Sequence, residues 1–403
     1  MPRVAITGLG VICGLGKNVG EFWHNAINGR SGIQKIQSVD TSKLRFQSGA
    51  EVRDYDPAKH FDGGRQDLLD RFAQFAVVAA REAITDAGLS ISPELSPRVA
   101  VVTGSSVGGQ TSEDAGFQDL YLRSRPRVHP LTIPRVMMNA GASHICMDLG
   151  ITGPALTTST ACSSANHAIG LAFWMVRSGQ VEVAIAGGSE APFSFGLLKA
   201  WEAMRVVAPE YCRPFSKDRS GLVLGEGGAM LVLESLDRAV GRGATVYGEV
   251  VGFGMSADAH HVTQPTSAGP AQAMRSAISD ASLQATDIGY INAHGTGTIS
   301  NDATESRAIR EVLGAHADRT PVSSTKSMHG HALGAAGAIE AVATVLALRE
   351  GVIPPTIHFT ESDPECNLNL VVNQARHASF DYALSNSFAF GGLNAVLAFR
   401  AHP

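Results

Sequence analysis

Short apolar runs alternate with longer segments of helical spacing along the whole chain. The runs are rich in Val, Ile and Ala and end at glycine or small polar residues, which is typical of buried strands. They predict strands at 4–6, 99–103, 155–160, 183–186, 229–233, 246–251, 288–293 and 394–399. Between them, apolar residues three and four positions apart predict helices at 70–87, 163–177, 270–283 and 336–349.

Strands that alternate with helices predict a layered α/β architecture, in which helices cover buried sheets. Each half of the chain repeats units of strand, turn and helix that end in Gly-rich turns. We therefore expect a duplicated α/β unit, with residues 1–240 as one half and residues 241–403 as the other. The length of 403 residues agrees, because one domain usually has about 100 to 200 residues.

Composition and charge exclude several classes of function. Apolar residues make up 44% of the chain and charged residues 17%, as in compact globular proteins. The formal net charge of −5 provides no global basic field, so we expect no nucleic-acid partner. No stretch of about 20 apolar residues is present, and the opening MPRVAITGLG is not a signal peptide, so we expect no membrane segment.

The cysteine and glycine spacing disfavours two kinds of site. The cysteines are scattered and include no CxxC pair, which counts against a zinc site or a disulfide framework and favours a reducing cytoplasm. The opening Gly8-Leu9-Gly10 lacks the third glycine of a dinucleotide fingerprint, because Cys13 stands at that position. We therefore expect no nucleotide cofactor.

Cys162 differs from the other cysteines in its surroundings. It lies in TTSTACSSANHAIG, between a strand-like segment and a helix rich in Ser and Ala. A tight turn from strand to helix would present its side chain, and the positive end of the helix dipole would lower the thiol pKa from about 8.5. The segment predicts a nucleophilic cysteine, with an inert buried cysteine as the alternative.

Two histidines could assist such a nucleophile. His294 follows a predicted strand in NAHGTGT, and His331 lies in KSMHGHALGAAG, where a small-residue helix begins. A metal site at His260-His261, or at His329 with His331, would lack a third ligand at suitable spacing, so we expect no metal.

These segments together resemble one enzyme family, the elongating β-ketoacyl-acyl carrier protein synthases of the thiolase superfamily. The similar segments are TACSS at Cys162, AHGTGT at His294, KSMHGHALGAAG at His331, RPFSKDRSGLVLGEGGA at 213–229 and SNSFAFGGLNA at 385–395. The resemblance implies a five-layered α-β-α-β-α fold, a homodimer and acyl carrier protein as partner. It implies no separate cofactor, because phosphopantetheine on the carrier protein holds the substrates.

The resemblance also implies a mechanism. Cys162 would take an acyl chain from the carrier protein, and malonyl-carrier protein would then lose carbon dioxide to leave an enolate. His294 and His331 would stabilise the enolate, which attacks the acyl-Cys162 carbonyl and extends the chain by two carbons. The backbone N–H groups of Cys162 and Phe390 would form the oxyanion hole.

The remaining site residues implied by the resemblance fall into three groups. The groups are a charged set that supports the histidines (Lys326, Asp302, Glu305 and Glu340), threonines that hold the pantetheine arm (Thr296 and Thr298), and gating aromatics (Phe388 and Phe390).

An acidic carrier protein would need a local basic patch on a chain of net charge −5. The candidates are Arg123, Arg125 and Arg127 in YLRSRPRVH, together with Arg65 and Arg71. Ordinary solvated arginines are the alternative.

Three departures from the family pattern leave the pathway open. Leu393 and His329 stand where threonine is common, and Gly297 stands where bacterial fatty-acid enzymes often have serine. The chain could serve primary fatty-acid synthesis or a specialised pathway such as aryl-polyene, nodulation-lipid or polyketide elongation.

Three other functions remain as alternatives. A non-catalytic chain-length factor would lack Cys162, a degradative thiolase would need a second cysteine in a glycine motif, and a priming ketosynthase would pair cysteine with histidine and asparagine. The observed motifs disfavour all three.

Overall fold

The computed structural model describes residues 2–402. The strands of the N-terminal half are β1 Val4–Cys13, β2 Gln34–Lys35, β3 Ser48–Gly49, β4 Val99–Gly104, β5 Ala155–Thr158, β6 Val183–Glu190 and β7 Gly227–Ser235. Its helices are α1 Val19–Ile27, α2 Arg71–Asp86, α3 Gln110–Tyr121, α4 Thr132–Val136, α5 Ala140–Leu149, α6 Ser164–Arg177, α7 Phe195–Met204 and α8 Leu236–Gly241.

The C-terminal half contributes a similar set of elements. Its strands are β8 Gly248–Ala257, β9 Tyr290–Asn292, β10 Pro321–Ser323, β11 Val352–Ile353, β12 Asn369–Leu370, β13 Arg376–His377, β14 Tyr382–Ala389 and β15 Leu393–Arg400. Its helices are α9 Ala268–Asp280, α10 Ile299–Leu313, α11 Lys326–His329 and α12 Ala336–Glu350. Short 3₁₀ turns connect several of these elements.

The strand order shows the duplication directly. The 11-stranded sheet runs β12-β10-β9-β14-β15-β8-β1-β7-β6-β4-β5. In the N-terminal half, β1 pairs antiparallel with β7, β7 pairs antiparallel with β6, and β6, β4 and β5 are parallel neighbours. The C-terminal half repeats this order with β8, β15, β14, β9 and β10, and adds β12 as a sixth strand parallel to β10. The predicted fold of two similar α/β halves is confirmed, whereas the boundary placed at residue 240 stays a prediction.

Helices form the outer and central layers of the molecule. Helix α2 covers the outer face of the first half, and α9 and α10 cover that of the second. Helices α6 and α12 pack against strands of both halves of this sheet, and residues 336–348 of α12 are all buried. Apart from Glu340, the buried residues of that helix are apolar or small on every side, because both of its faces contact protein.

The turns that follow β5 in the N-terminal half and β10 in the C-terminal half are topologically equivalent. Strand β5 leads through Cys162 into α6, and β10 leads through His331 into α12. Since α6 and α12 pack side by side in the central layer, their N-terminal ends bring these two residues together.

The apolar pattern located the buried strands and central helices but missed polar elements that are also buried. Helix α10 buries Asp302 and Glu305 beside alanines, and β14 buries Ser385, Asn386 and Ser387. Within residues 2–402, no helix has the length and apolar character needed to cross a bilayer.

Asp70 fixes the start of α2 and ties it to α3. Its buried carboxylate accepts hydrogen bonds from the N–H of Phe72 at 3.2 Å, the N–H of Ser112 at 2.7 Å and the hydroxyl of Thr111 at 2.6 Å. We expect Asp70→Ala to lower the free energy of unfolding by about 1–3 kcal/mol, because these donors lose their acceptor. Urea unfolding measures the change. Asp70→Asn should cost less, and an Ala variant as stable as the wild type would contradict the assignment.

Candidate active site

Cys162 lies in a sharp turn between β5 and α6. The preceding Ala161 has φ of +50°, a left-handed conformation that is uncommon for a residue with a side chain. Hydroxyl groups hold this turn, since Ser164 donates to the carbonyl of Ala161 at 2.6 Å and Ser163 donates to that of Thr160 at 2.8 Å. The backbone N–H groups of Phe390 and of Cys162 itself donate hydrogen bonds toward the sulfur. The turn therefore presents the thiol to two backbone donors.

The thiol pKa moves in the direction opposite to the one predicted. Burial raises the pKa of Cys162 to about 12, while the Lys326 charge lowers it, the Glu190 charge raises it and the two backbone N–H groups lower it. The helix dipole can be anticipated from sequence, but the depth at which the thiol lies cannot. Cys162 is therefore a neutral thiol at pH 7, and its proton must leave during acyl transfer.

Alkylation of Cys162 by iodoacetamide should reflect this raised pKa. Because the thiolate is the reactive form, we expect the rate to keep rising from about pH 7 to about pH 10 with no plateau. A free cysteine, with its pKa near 8.5, levels off within that range. Peptide mapping over a pH series measures the rate at Cys162, and a plateau near pH 8 would contradict the burial argument.

His294 is held in one tautomer by Lys326. The Lys326 ammonium lies 3.3 Å from Nδ1 of His294 and donates to the His294 carbonyl at 2.8 Å. Because an ammonium group can only donate, Nδ1 is an acceptor and the neutral ring carries its proton on Nε2. Burial, then the charge of Lys326, holds the pKa of His294 well below its ordinary value.

His331 completes a pair of neutral imidazoles. Its ring centroid lies 5.4 Å from that of His294, with the planes at 84°. Burial, then Lys326, also lowers its pKa well below the ordinary value. The backbone of His331 is fixed, since its N–H donates to the Val223 carbonyl at 2.7 Å. Its Nδ1 is buried without a hydrogen-bond partner in the part of the chain that the structure describes.

The predicted charged set divides into two groups. Lys326 forms a buried ion pair with Glu340, whose pKa burial raises to about 7. Glu305 and Asp302 bind backbone rather than imidazole rings. Glu305 accepts from the N–H groups of His294 and Gly295, each at 2.8 Å. Asp302 accepts from the N–H groups of Phe215 at 2.8 Å and Gly297 at 3.2 Å, so both carboxylates fix the AHGTGT loop.

The predicted threonines and aromatics also lie at this site. The hydroxyls of Thr296 and Thr298 are 2.9 Å apart, and Thr298 also caps α10. The Phe388 ring lies 6.1 Å from that of His294, and the Phe390 ring lies 6.1 Å from that of Trp201. Phe388 is buried and Phe390 is half-buried.

One cleft joins these groups. Cys162, both histidines, both threonines and both phenylalanines line a space of about 690 Å³, including its open mouth. The 258–265 loop forms another wall and is held by the N–H of Gly391, which donates to the Val262 carbonyl at 2.8 Å. Residues 2–402 contain no group of three His, Cys, Asp or Glu side chains arranged to hold a metal ion.

Family models match both halves of the chain. The β-ketoacyl synthase N-terminal domain matches residues 1–239, and the corresponding C-terminal domain matches residues 247–360. The chain belongs to the β-ketoacyl synthase family. It is an acyltransferase of the condensing class, as the motifs predicted.

Two relatives of similar length have names that give different roles. This β-ketoacyl synthase is 47% identical to nodulation protein E of Rhizobium sp. (strain N33), over 99% of each chain. It is 40% identical to 3-oxoacyl-[acyl-carrier-protein] synthase 2 of Staphylococcus aureus (strain COL), over 99% of this chain and 98% of that one.

Two solved structures share its fold over the full length of both chains. The ishigamide ketosynthase/chain length factor has a TM-score of 0.95 at 38% identity. The type II polyketide synthase complex AntDE:AntF, a ketosynthase with its acyl carrier protein, has a TM-score of 0.90 at 31% identity. The thiolase-like fold and the reaction class, formation of a 3-oxoacyl chain, are therefore confirmed for this synthase.

The structure pairs four of the five candidate docking arginines with carboxylates, and docking at the exposed Arg123, Arg125 and Arg127 stays a prediction. Arg71 forms a two-pronged ion pair with the buried carboxylate of Glu226, which removes it from a docking surface. Arg65 pairs with Asp148 at 2.8 Å. Arg123 and Arg125 are exposed but share Asp119, at 2.6 Å and 3.1 Å.

Sequence reasoning missed several residues that build the site. Asn386 donates to Glu305 at 3.1 Å, and Asn394 donates to Asp258 of the loop at 2.8 Å. Arg219 lies buried 3.8 Å from Asp302. Arg219 belongs to the RPFSKDRSG segment, residues 213–221, which is the sequence signal for a buried arginine near Asp302.

Proposed function

We propose that this synthase elongates acyl chains on an acyl carrier protein, with Cys162 as nucleophile and His294 and His331 as the groups that stabilise the malonyl-derived enolate. The observation that carries the proposal is the meeting of one thiol and two neutral imidazoles in a single cleft. The reaction needs no cofactor beyond the carrier's phosphopantetheine.

Acyl transfer begins at the turn of Cys162. The sulfur attacks the thioester carbonyl of the acyl-carrier protein, and the N–H groups of Cys162 and Phe390 receive the oxyanion. The thioester bond to the carrier breaks, and the Cys162 proton leaves with the carrier's thiol. Thr296 and Thr298 line the path that the pantetheine arm takes.

Condensation uses the two histidines as hydrogen-bond donors. The Nε2–H of His294 and a ring N–H of His331 bind the thioester oxygen of the malonyl group as carbon dioxide leaves. Neutral imidazoles suit this step, because they donate without protonating the enolate at once. The enolate carbon then attacks the carbonyl of acyl-Cys162, the thioester bond to Cys162 breaks, and the product is a 3-oxoacyl chain two carbons longer that stays on the carrier protein. Cys162 leaves as a thiolate and takes up a proton from water to regenerate the neutral thiol.

We also propose that the chain works as a homodimer. Strand β5 is the terminal strand of the sheet and leaves one edge unpaired. Nearby helices expose large apolar side chains, including Tyr121, Ile133 and Met147. An open edge beside exposed apolar surface favours pairing with a second copy. A cytoplasmic location remains an expectation from the free cysteines.

A specialised pathway is the second candidate. Identity to nodulation protein E exceeds identity to the Staphylococcus aureus synthase, and His329 and Leu393 depart from the common pattern beside the site. The reaction is the same in both candidates, and the acyl chain differs.

Intact-protein mass spectrometry tests the proposal. The protein is incubated with acyl-carrier proteins of graded length, saturation and aromaticity, with and without malonyl-carrier protein. We expect acylation at Cys162 and a 3-oxo product, and the preferred chain distinguishes the two pathways. Absence of acylation by every primer would contradict the proposal and favour a non-catalytic chain-length factor.

A further inference from the structure

A buried glutamate outside the proposed chemistry connects separate parts of the active site. Glu190 is the last residue of β6 and is 0% exposed. Its Oε1 accepts from the hydroxyl of Ser105 at 2.9 Å and the N–H of Val107 at 3.3 Å. Its Oε2 accepts from the N–H groups of Ser106 at 2.6 Å and Gly334 at 3.0 Å. One carboxylate therefore satisfies four donors from two segments.

Ser106 extends this contact to the nucleophile. Its hydroxyl donates to the carbonyl of Ala161 at 2.8 Å. Ala161 is the left-handed residue that aims Cys162 into the cleft. Glu190 therefore holds Ser106, and Ser106 holds the peptide next to the nucleophile.

Gly334 extends the contact to the histidine side. It follows His331 by three residues, after Leu333, whose φ of +46° marks a strained turn. A Cβ at Gly334 would lie 2.6 Å from Oε2 of Glu190 and 2.6 Å from the nitrogen of Ser106. Only glycine allows the His331 loop to approach the carboxylate this closely.

We propose that Glu190 is a positioning residue that holds the Cys162 turn and the His331 loop at one fixed spacing, through Ser106 on one side and Gly334 on the other. The inference rests on the roles proposed above for Cys162 and His331. It gives a function to residues 187–191, GGSEA, to which the reaction steps proposed above assign no role. A carboxylate suits the role because it only accepts, whereas the amide of glutamine would turn N–H groups toward N–H donors.

The charge of Glu190 also acts on the thiol. The charged groups that act on the Cys162 sulfur are Lys326, which lowers the thiol pKa, and Glu190, which raises it. His294 and His331 share the cleft but are neutral. Removing the carboxylate charge should therefore lower the thiol pKa, an effect that loss of packing at a distant site would not produce.

Two variants separate the effect of Glu190 on the position of the loops from the effect of its charge on the thiol pKa. Glu190→Gln removes the charge and mismatches the donors, whereas Gly334→Ala keeps the charge and displaces the loop. We expect both to reduce condensation by about 10²-fold, because small displacements of reacting groups are costly. Only Glu190→Gln should shift the alkylation profile of Cys162 to lower pH.

Glu234→Gln is the matched control. Glu234 is a buried carboxylate that binds Arg238 and Arg242 and does not line the cleft. We expect that variant to lose stability while condensation and the alkylation profile stay unchanged.

Two results would overturn the inference. One is condensation within twofold of wild type in a folded Gly334→Ala protein. The other is an unchanged alkylation profile in Glu190→Gln. If Glu190→Gln does not fold, Gly334→Ala alone decides the geometric claim. A wild-type protein that is never acylated at Cys162 would contradict the proposed function instead, and the alkylation profiles would still decide whether Glu190 acts on the thiol.

Discussion

Cys162→Ala should abolish acyl transfer to the protein and all formation of 3-oxoacyl product. Among the cysteines of residues 2–402, Cys162 alone lines the cleft, so no other thiol can take over the acyl group. Intact mass after incubation with acyl-carrier protein measures the transfer, and product analysis with malonyl-carrier protein measures elongation.

Cys212→Ala is the control for this loss. Cys212 is also buried, and its thiol donates to the Thr296 carbonyl at 3.3 Å behind the cleft. We expect that variant to remain acylated and active. Elongation that survives in Cys162→Ala would contradict the nucleophile assignment.

His294→Ala and His331→Ala should each slow decarboxylation of malonyl-carrier protein by about 10²–10³-fold. The enolate oxygen would lose one of its two hydrogen-bond donors, and both donors are buried side chains of the cleft. Acylation of Cys162 should fall much less, because the backbone N–H groups of Cys162 and Phe390 serve that step. Release of carbon dioxide and intact mass measure the two steps separately.

His329→Thr is the control for the histidine variants. His329 is equally buried and stands two residues from His331, but its Nε2 faces the Thr325 hydroxyl at 3.0 Å and the ring does not line the cleft. Decarboxylation should persist in this variant. Equal loss of acylation and decarboxylation in both alanine variants would show that the division of roles is wrong.

The sequence predicted correctly those elements in which the buried residues are apolar. Apolar runs located β1, β4 and β6 and the central helix α12, because these elements contact protein on both faces. The motifs located the thiol and both histidines, since each stands in a short run of small residues.

The rest depended on contacts between distant segments. Helix α10 is polar overall, because its buried face carries Asp302 and Glu305 for the AHGTGT loop. The spacing of apolar residues along the chain predicts that such a polar face is exposed to solvent. The pairing of Arg71 with Glu226 was missed because a partner 155 positions away leaves no local pattern. The raised thiol pKa was missed because its cause is the depth at which Cys162 is buried, which neighbouring residues in the sequence do not indicate.

The equivalence of the two turns has a consequence for how the chemistry could arise. In a symmetric pair of identical α/β units, the turns before the two central helices would carry the same residue. Cys162 occupies this position in one half and His331 occupies it in the other. Joining the halves in one chain removes the symmetry constraint, so that one copy of the turn can become a nucleophile while the other becomes a hydrogen-bond donor. The asymmetry that the reaction requires is thus built from a repeated backbone.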